Sequence, residues 1–238
     1  MIWCSIASRT PSFISQVHSD FANKLSNITG ETAIIDFNFD TLLEEALLNN
    51  TKINVKYLGK SMQFVNNLPG ATKNIALLKP HGSCNFLVCK NCDHNSGKSL
   101  LFMARGLDPM KLRSGRCDDR KNCPKCGKRV ENEDYFLVPY ADTRYNLKFR
   151  EIHKELTKEM ETIIKNSREI ISIGYSFYSP RKGKMLDKDI QGPLRKRKII
   201  IIGRDFRDAQ CISNTAINAG IKGVPDNSSG FGDYVKRL

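Results

Sequence analysis

The chain lacks any apolar stretch long enough to cross a bilayer. Uninterrupted runs such as Ile199 to Ile202 fall far short of the about 20 residues that a membrane helix needs. It also lacks a secretory leader, because its opening, MIWCSIASRTPSF, has no basic start followed by an apolar core. A protein of the cytoplasm, with no membrane contact, is therefore expected. Acidic residues are in deficit, 25 against 38 lysines and arginines, and the net charge of +13 makes the surface attractive to nucleic acid, acidic lipid or a pyrophosphate without choosing among them. The densest basic cluster is Arg181, Lys182, Lys184, Lys188, Arg195, Lys196, Arg197 and Lys198. No aromatic residues are interleaved there to stack bases, so it reads as a solvated basic face, with a polyanion contact as the other reading. Internal repeats and low-complexity tracts are absent too.

What is present is an ordinary globular composition. Of 238 residues, 40% are hydrophobic and 26% charged, which suits one medium domain or one domain carrying an inserted module. Phe13, Ile14, Val17, Phe21 and Leu25 repeat at helical spacing, and the stretch from Asn27 to Gly30 closes that helix. Thr32 to Phe37 predicts a strand, Asp40 to Leu48 a helix, and Ile53 to Leu58 and Ala76 to Lys79 further strands. Tyr135 to Pro139 predicts another strand. Phe149, Ile152, Leu156, Met160, Ile163 and Ile164 mark a long amphipathic helix. Ile170 to Ile173 and Lys198 to Ile202 are nearly continuous β-branched runs, the pattern of parallel strands covered on both faces. A last helix runs from Asp208 to Ala219, with Gly220 as its stop. Alternating strands and helices predict an α/β fold with a parallel sheet and helices on both faces.

The segment from Cys89 to Val130 differs in kind, being basic and poor in periodic apolar residues. It holds two Cys-x-x-Cys pairs, Cys89 with Cys92 and Cys123 with Cys126, separated by thirty intervening residues. Each close pair can present two thiolates to one ion, and the long loop brings the halves together as a tetrahedral Cys4 zinc site. Such a site has no open coordination position, so the metal is expected to be structural. Gly127 suits a backbone that curls around the second pair. Cys117 and His94 are competing ligands in the same loop, and Cys4, Cys84 and Cys211 are expected to be small core residues.

Parallel sheets bind ligands where their strands end. Asn38 and Asp40 follow the first such strand, His81 and Gly82 another, and Gly174 and Ser176 a third. Asp40 alone reads as a helix cap. In order, however, Asn-x-Asp, His-Gly, two Cys-x-x-Cys pairs and Gly-x-Ser are the landmarks of sirtuins. From about residue 31 to 205 the chain resembles that family, and through FNFDTLLEEAL, KPHGSCNF, YFLVPY and IISIGYSF it is similar to the branch that includes bacterial defence NAD hydrolases.

The resemblance implies a Rossmann-like NAD-binding domain, residues 1–88 and 131–238, with residues 89–130 inserted as a Cys4 zinc-ribbon module. It implies that Asn38 contacts ribose and orients the attacking water, that Asp40 holds the nicotinamide amide, that His81 is the catalytic histidine, and that Gly174 and Ser176 lie near the nucleotide. NAD would be the substrate and zinc a structural ion. Two departures bear on activity. Residues 1 to 30 contain no strand followed by Gly-x-Gly, so the family's glycine-rich phosphate loop has no counterpart and the domain is expected to be incomplete at its N-terminus. Phe37 stands where related deacylases carry glutamine, and YFLVPY replaces their acyl-peptide-pairing segment, which favours hydrolysis of NAD. Deacylation or ADP-ribosyl transfer, an inactive truncated remnant, and a zinc-ribbon nucleic-acid binder remain as alternatives.

Overall fold

The computed structural model describes residues 16–38, 41–59, 68–89, 91–92, 100–103, 122–123, 125–129, 135–137, 150–175, 192–195 and 197–238. It is a mixed α/β protein, and the chain divides into two compact units, Met1–Leu156 and Thr157–Leu238.

The first unit opens with α1, Gln16–Asn27, whose buried stripe is Phe21, Ala22 and Leu25. Phe13 and Ile14, expected on the same face, lie outside the described residues. Three strands follow as a parallel sheet with β3 in the middle: β1 (Thr32–Ile35), β3 (Lys73–Leu78) and β2 (Ile53–Tyr57). The helix α2, Leu42–Asn49, connects β1 to β2. Ile53, Val55, Tyr57, Ile75 and Leu77 are buried, and the pairing Val55↔Ile75 and Tyr57↔Leu77 puts them on one face. Lys73 is buried as well, donating to the carbonyl oxygens of Ile28 and Gly30 and so satisfying the chain that leaves α1.

A second, antiparallel sheet has the order β5-β4-β6, formed by β4 (Gly82–Cys89), β5 (Leu100–Met103) and β6 (Tyr135–Leu137). Tyr57 of β2 meets Phe86 of β4 edge to face, with ring centroids 5.6 Å apart. Neither β4 nor β5 was expected from sequence. The strand at Tyr135 was expected, but it pairs antiparallel with β4 instead of extending a parallel sheet.

A long helix, α3 (Arg150–Asn166), buries Ile152, Leu156, Met160 and Ile164 at four-residue spacing. The second unit then forms its own parallel sheet in the order β7-β8-β9, from Ile171–Ile173, Lys198–Ile202 and Lys222–Pro225. Between β8 and β9 runs α4, Phe206–Asn218, which begins earlier than Asp208 because Asp205 caps it, accepting the Asp208 N–H at 2.8 Å. The last helix is α5, Phe231–Arg237.

Helix α4 sits against the face that carries Gly223. A Cβ there would meet Ile201 Cδ1 at 2.8 Å, Ser213 Oγ at 3.1 Å and Ala216 Cβ at 3.3 Å, and one at Gly203 would meet the Ala209 backbone nitrogen at 2.5 Å. The opposite face carries Ile171, Ile173 and Val224, which are 36%, 37% and 41% exposed. Among the described residues, that face of β7 is thus only partly covered, whereas its β-branched run suggested cover on both faces. Cys211, expected in the core, is exposed, because the buried stripe of α4 is Ala209, Ile212, Ser213 and Ala216 and position 211 falls beside it. Cys4, Cys117 and His94 lie outside the described residues. No described helix is long and apolar enough to cross a membrane.

Candidate functional site

The four cysteines singled out by spacing come together. The ligand atoms of Cys89, Cys92, Cys123 and Cys126 all lie within 4.8 Å of one another, with Cys89 Sγ to Cys126 Sγ at 3.6 Å and Cys92 Sγ to Cys123 Sγ at 3.4 Å. A disulfide would require about 2.05 Å, whereas a tetrahedral metal with sulfurs at about 2.3 Å sets them about 3.8 Å apart. The donor set therefore fits one metal ion such as zinc. Cys89 ends β4, and Cys123 and Cys126 belong to a tight turn. There the Cys123 N–H donates to the Lys128 carbonyl (2.8 Å) and the Gly127 N–H to the Cys123 carbonyl (2.9 Å). Gly127 sits at φ 69°, a conformation costly for any residue with a Cβ, and it lets the backbone wrap the sulfurs while Lys125 N–H approaches Cys123 Sγ at 3.4 Å. As thiols, Cys89 and Cys92 are pushed up by burial, while the Lys128 backbone N–H pulls Cys126 down to about 7.

A second cluster lies at the carboxyl edge of the β1-β3-β2 sheet. The register Ile35↔Leu78 runs on past the strands, where the Asp36 N–H donates to the Leu78 carbonyl at 2.9 Å and the side chains of Asp36 and Lys79 pair. β1 ends two residues and β3 one residue earlier than the sequence suggested, since the ladder here gives way to charge pairing, while β3 begins three residues earlier, at Lys73. Lys79 Nζ reaches Asp36 Oδ2 at 3.1 Å and Glu44 Oε1, in the first turn of α2, at 2.8 Å. Ser83 Oγ donates to the same Glu44 oxygen at 3.4 Å. All of these side chains are buried, and Glu44 Oε2 has no hydrogen-bond partner among the described residues.

Burial pushes the Lys79 ammonium down, but the carboxylates of Glu44 and Asp36 outweigh it, and its pKa ends above the ordinary lysine value. One ammonium cannot neutralise two carboxylates. Burial consequently raises Glu44 from 4.5 to about 7, with Lys79 opposing and the like charge of Asp36 adding to the rise. Because the folded pKa is the higher one, this group's contribution to stability is fully present below 4.5 and is lost as pH rises through about 7. The loss should amount to about 3 kcal/mol over that window. Urea denaturation at stepped pH is expected to show the slope in the natural chain and to show it flattened in Glu44→Gln. Equal slopes would assign the titration elsewhere.

Asn38 and His81 flank this cluster. Asn38 is exposed, and its backbone N–H donates to Asp36 Oδ1 at 2.9 Å. His81 is 5% exposed and meets Phe37 edge to face at 5.0 Å. Its turn is closed by the Gly82 N–H donating to the Lys79 carbonyl at 3.0 Å, with Gly82 at φ 81°. Asn38 and His81 thus follow adjacent parallel strands at one sheet edge. Asp40 and Ser176 lie outside the described residues, and the cap position of α2 is Thr41. Gly174 ends β7 in the other unit, exposed, at φ 65°, its N–H donating to the Ile202 carbonyl at 3.0 Å. Within the basic cluster, Arg197 is not simply solvated, since its guanidinium donates to the Ser167 carbonyl beyond the end of α3. Most of that cluster lies outside the described residues.

Sequence reasoning had missed Asp36, Glu44 and Lys79. A readable signal existed in the lysine that ends one apolar strand, ALLK, and the aspartate that ends its parallel partner, AIID. Scanned against protein-family models and against curated proteins, the chain matches none of either.

Proposed function

We propose that this chain is a sirtuin-like, Rossmann-type NAD-binding protein that hydrolyses the bond between nicotinamide and ribose, with a structural zinc held by Cys89, Cys92, Cys123 and Cys126. The observation that carries the reading is the shared edge. An exposed amide at Asn38 and a buried imidazole at His81 follow neighbouring parallel strands, where α/β sheets bind ligands, and the strand leading to the metal ligands begins directly after His81.

The residue types suit the chemistry. As the C–N bond breaks, its electron pair returns to the pyridinium nitrogen, and the ribose carbon passes through an oxocarbenium-like state that water then attacks. Asn38, whose side chain is open to solvent, orients that water. His81 accepts its proton and releases it to solvent, a role that imidazole fills near neutral pH. Phe37, packed edge to face with His81, holds the orientation of that ring. Zinc in a closed Cys4 site has no position left for substrate and serves to hold the inserted module. Asp40 is assigned to nucleotide contact by the family resemblance alone.

The test is the release of free nicotinamide and ADP-ribose from NAD by the zinc-loaded chain, run with and without an acetylated peptide. Hydrolysis requires product in both arms. Product that depends on peptide would make the protein a deacylase, and no turnover together with no thermal shift at millimolar NAD would make it inactive. Asn38→Ala should lower kcat/KM about 100-fold or more with an unchanged melting temperature, because its side chain is exposed. His81→Ala should lose as much activity and in addition about 1–3 kcal/mol of stability, since that ring is buried against Phe37.

A further inference from the structure

Lys79 reaches the turn carrying Asn38 and the turn carrying His81 through different parts of one residue. Its ammonium holds Asp36 Oδ2 at 3.1 Å, and the other oxygen of that carboxylate accepts the Asn38 N–H at 2.9 Å. Its own carbonyl accepts the Gly82 N–H at 3.0 Å and so closes the turn around His81. The same ammonium lies 2.8 Å from Glu44 at the start of α2, and Ser83, near the start of β4, donates to that carboxylate. Filling this space does not require a charge, since a hydrocarbon of similar length packs a buried site as well and often better. What the cation adds is direction: it fixes two carboxylates, on two chain segments, relative to the backbone of a third.

We propose that Lys79 is a positioning residue, which through Asp36 and Glu44 fixes the Asn38 turn relative to the His81 turn at the carboxyl edge of the β1-β3-β2 sheet. The inference rests on reading that edge as the reactive site, and it adds a residue that does not itself touch substrate. A small displacement of catalytic groups costs far more rate than binding, so the effect belongs in kcat.

Lys79→Met keeps most of the stem and removes the charge. In the zinc-loaded variant without NAD, the Asn38 amide should exchange with solvent about tenfold faster or more and the His81 ring signals should shift, while the amides of Ile199 and Ile201 in β8 keep their protection. With NAD present, kcat should fall about tenfold or more while KM stays within about twofold. Should Lys79→Met not fold, Asp36→Asn takes its place, because it keeps an acceptor for the Asn38 N–H but weakens the hold of the ammonium; faster Asn38 exchange and altered His81 signals are again required. Unchanged Asn38 exchange and His81 signals in whichever of the two folds would overturn the proposal. If those signals change in a protein that never turns over NAD, the hydrolase reading falls and the positioning role of Lys79 stands.

Discussion

Cys126→Ser should release the metal and unfold the segment between the two Cys-x-x-Cys pairs. Cys126 is exposed, and serine is nearly isosteric with it, so the substitution leaves no cavity and its cost reports coordination alone. Structural zinc in small modules contributes about 10–16 kcal/mol of apparent binding free energy, and a site stripped to three thiolates forfeits a large share of it. The segment between the Cys-x-x-Cys pairs has little apolar periodicity to replace that contribution. Metal analysis should give one zinc per natural chain and nearly none for the variant after brief exposure to a mild chelator, with a melting transition many degrees lower. Cys211→Ser, on the exposed side of α4, serves as the control and should change neither quantity. Retention of zinc and of the melting temperature in Cys126→Ser would remove the metal from the account. Because thiolates bind and thiols do not, zinc affinity should also weaken as pH falls.

Lys79→Ala should be strongly destabilising. It leaves Asp36 and Glu44 buried together with their shared cation gone, and removing one partner of a buried ion pair costs about 3–5 kcal/mol. The loss should shrink on acidification, because protonating Glu44, which burial raises to about 7, removes one of the two buried charges. Urea denaturation at neutral and at mildly acid pH measures both effects. A loss under about 1 kcal/mol at neutral pH would mean that water reaches the cluster and screens it. The cooperative cost of such a triplet also distinguishes it from the exposed Arg204–Asp208 pair, whose removal should be nearly silent.

What could be read from the residues divides along physical lines. Strands β1, β2, β3 and β8 were legible because short apolar runs bounded by polar residues have few other uses, and α3 was legible because Ile152, Leu156, Met160 and Ile164 mark one face. The cysteine cluster was legible because ligand spacing is set by covalent geometry before any folding occurs. Strand β4 was not, since GSCNFLVC begins with small and polar residues and ends in a run, Phe86 to Cys89, with no alternation to betray a pleat. The ion triplet escaped for a different reason. Charged residues are presumed to face water, and only the parallel register of β1 with β3 brings Asp36 beside Lys79. Asn38 and His81 were singled out by their order along the chain, and the pairing of the strands they follow became visible only with that register.

The seat of α4 has a consequence for which changes this chain can accept. At Gly203 one extra methyl group would collide with the backbone of α4, whereas at Gly223 it would meet the flexible end of Ile201 and press tightly against Ser213 and Ala216. No rotamer change can relieve a clash with a main-chain nitrogen, so the helix itself would have to lift. Variation across a population should therefore be frequent on the solvent side of that helix, at Gln210, Asn214 and Ile217, and nearly forbidden at Gly203, whose bare α-carbon serves as the gauge for the thickness of the layer.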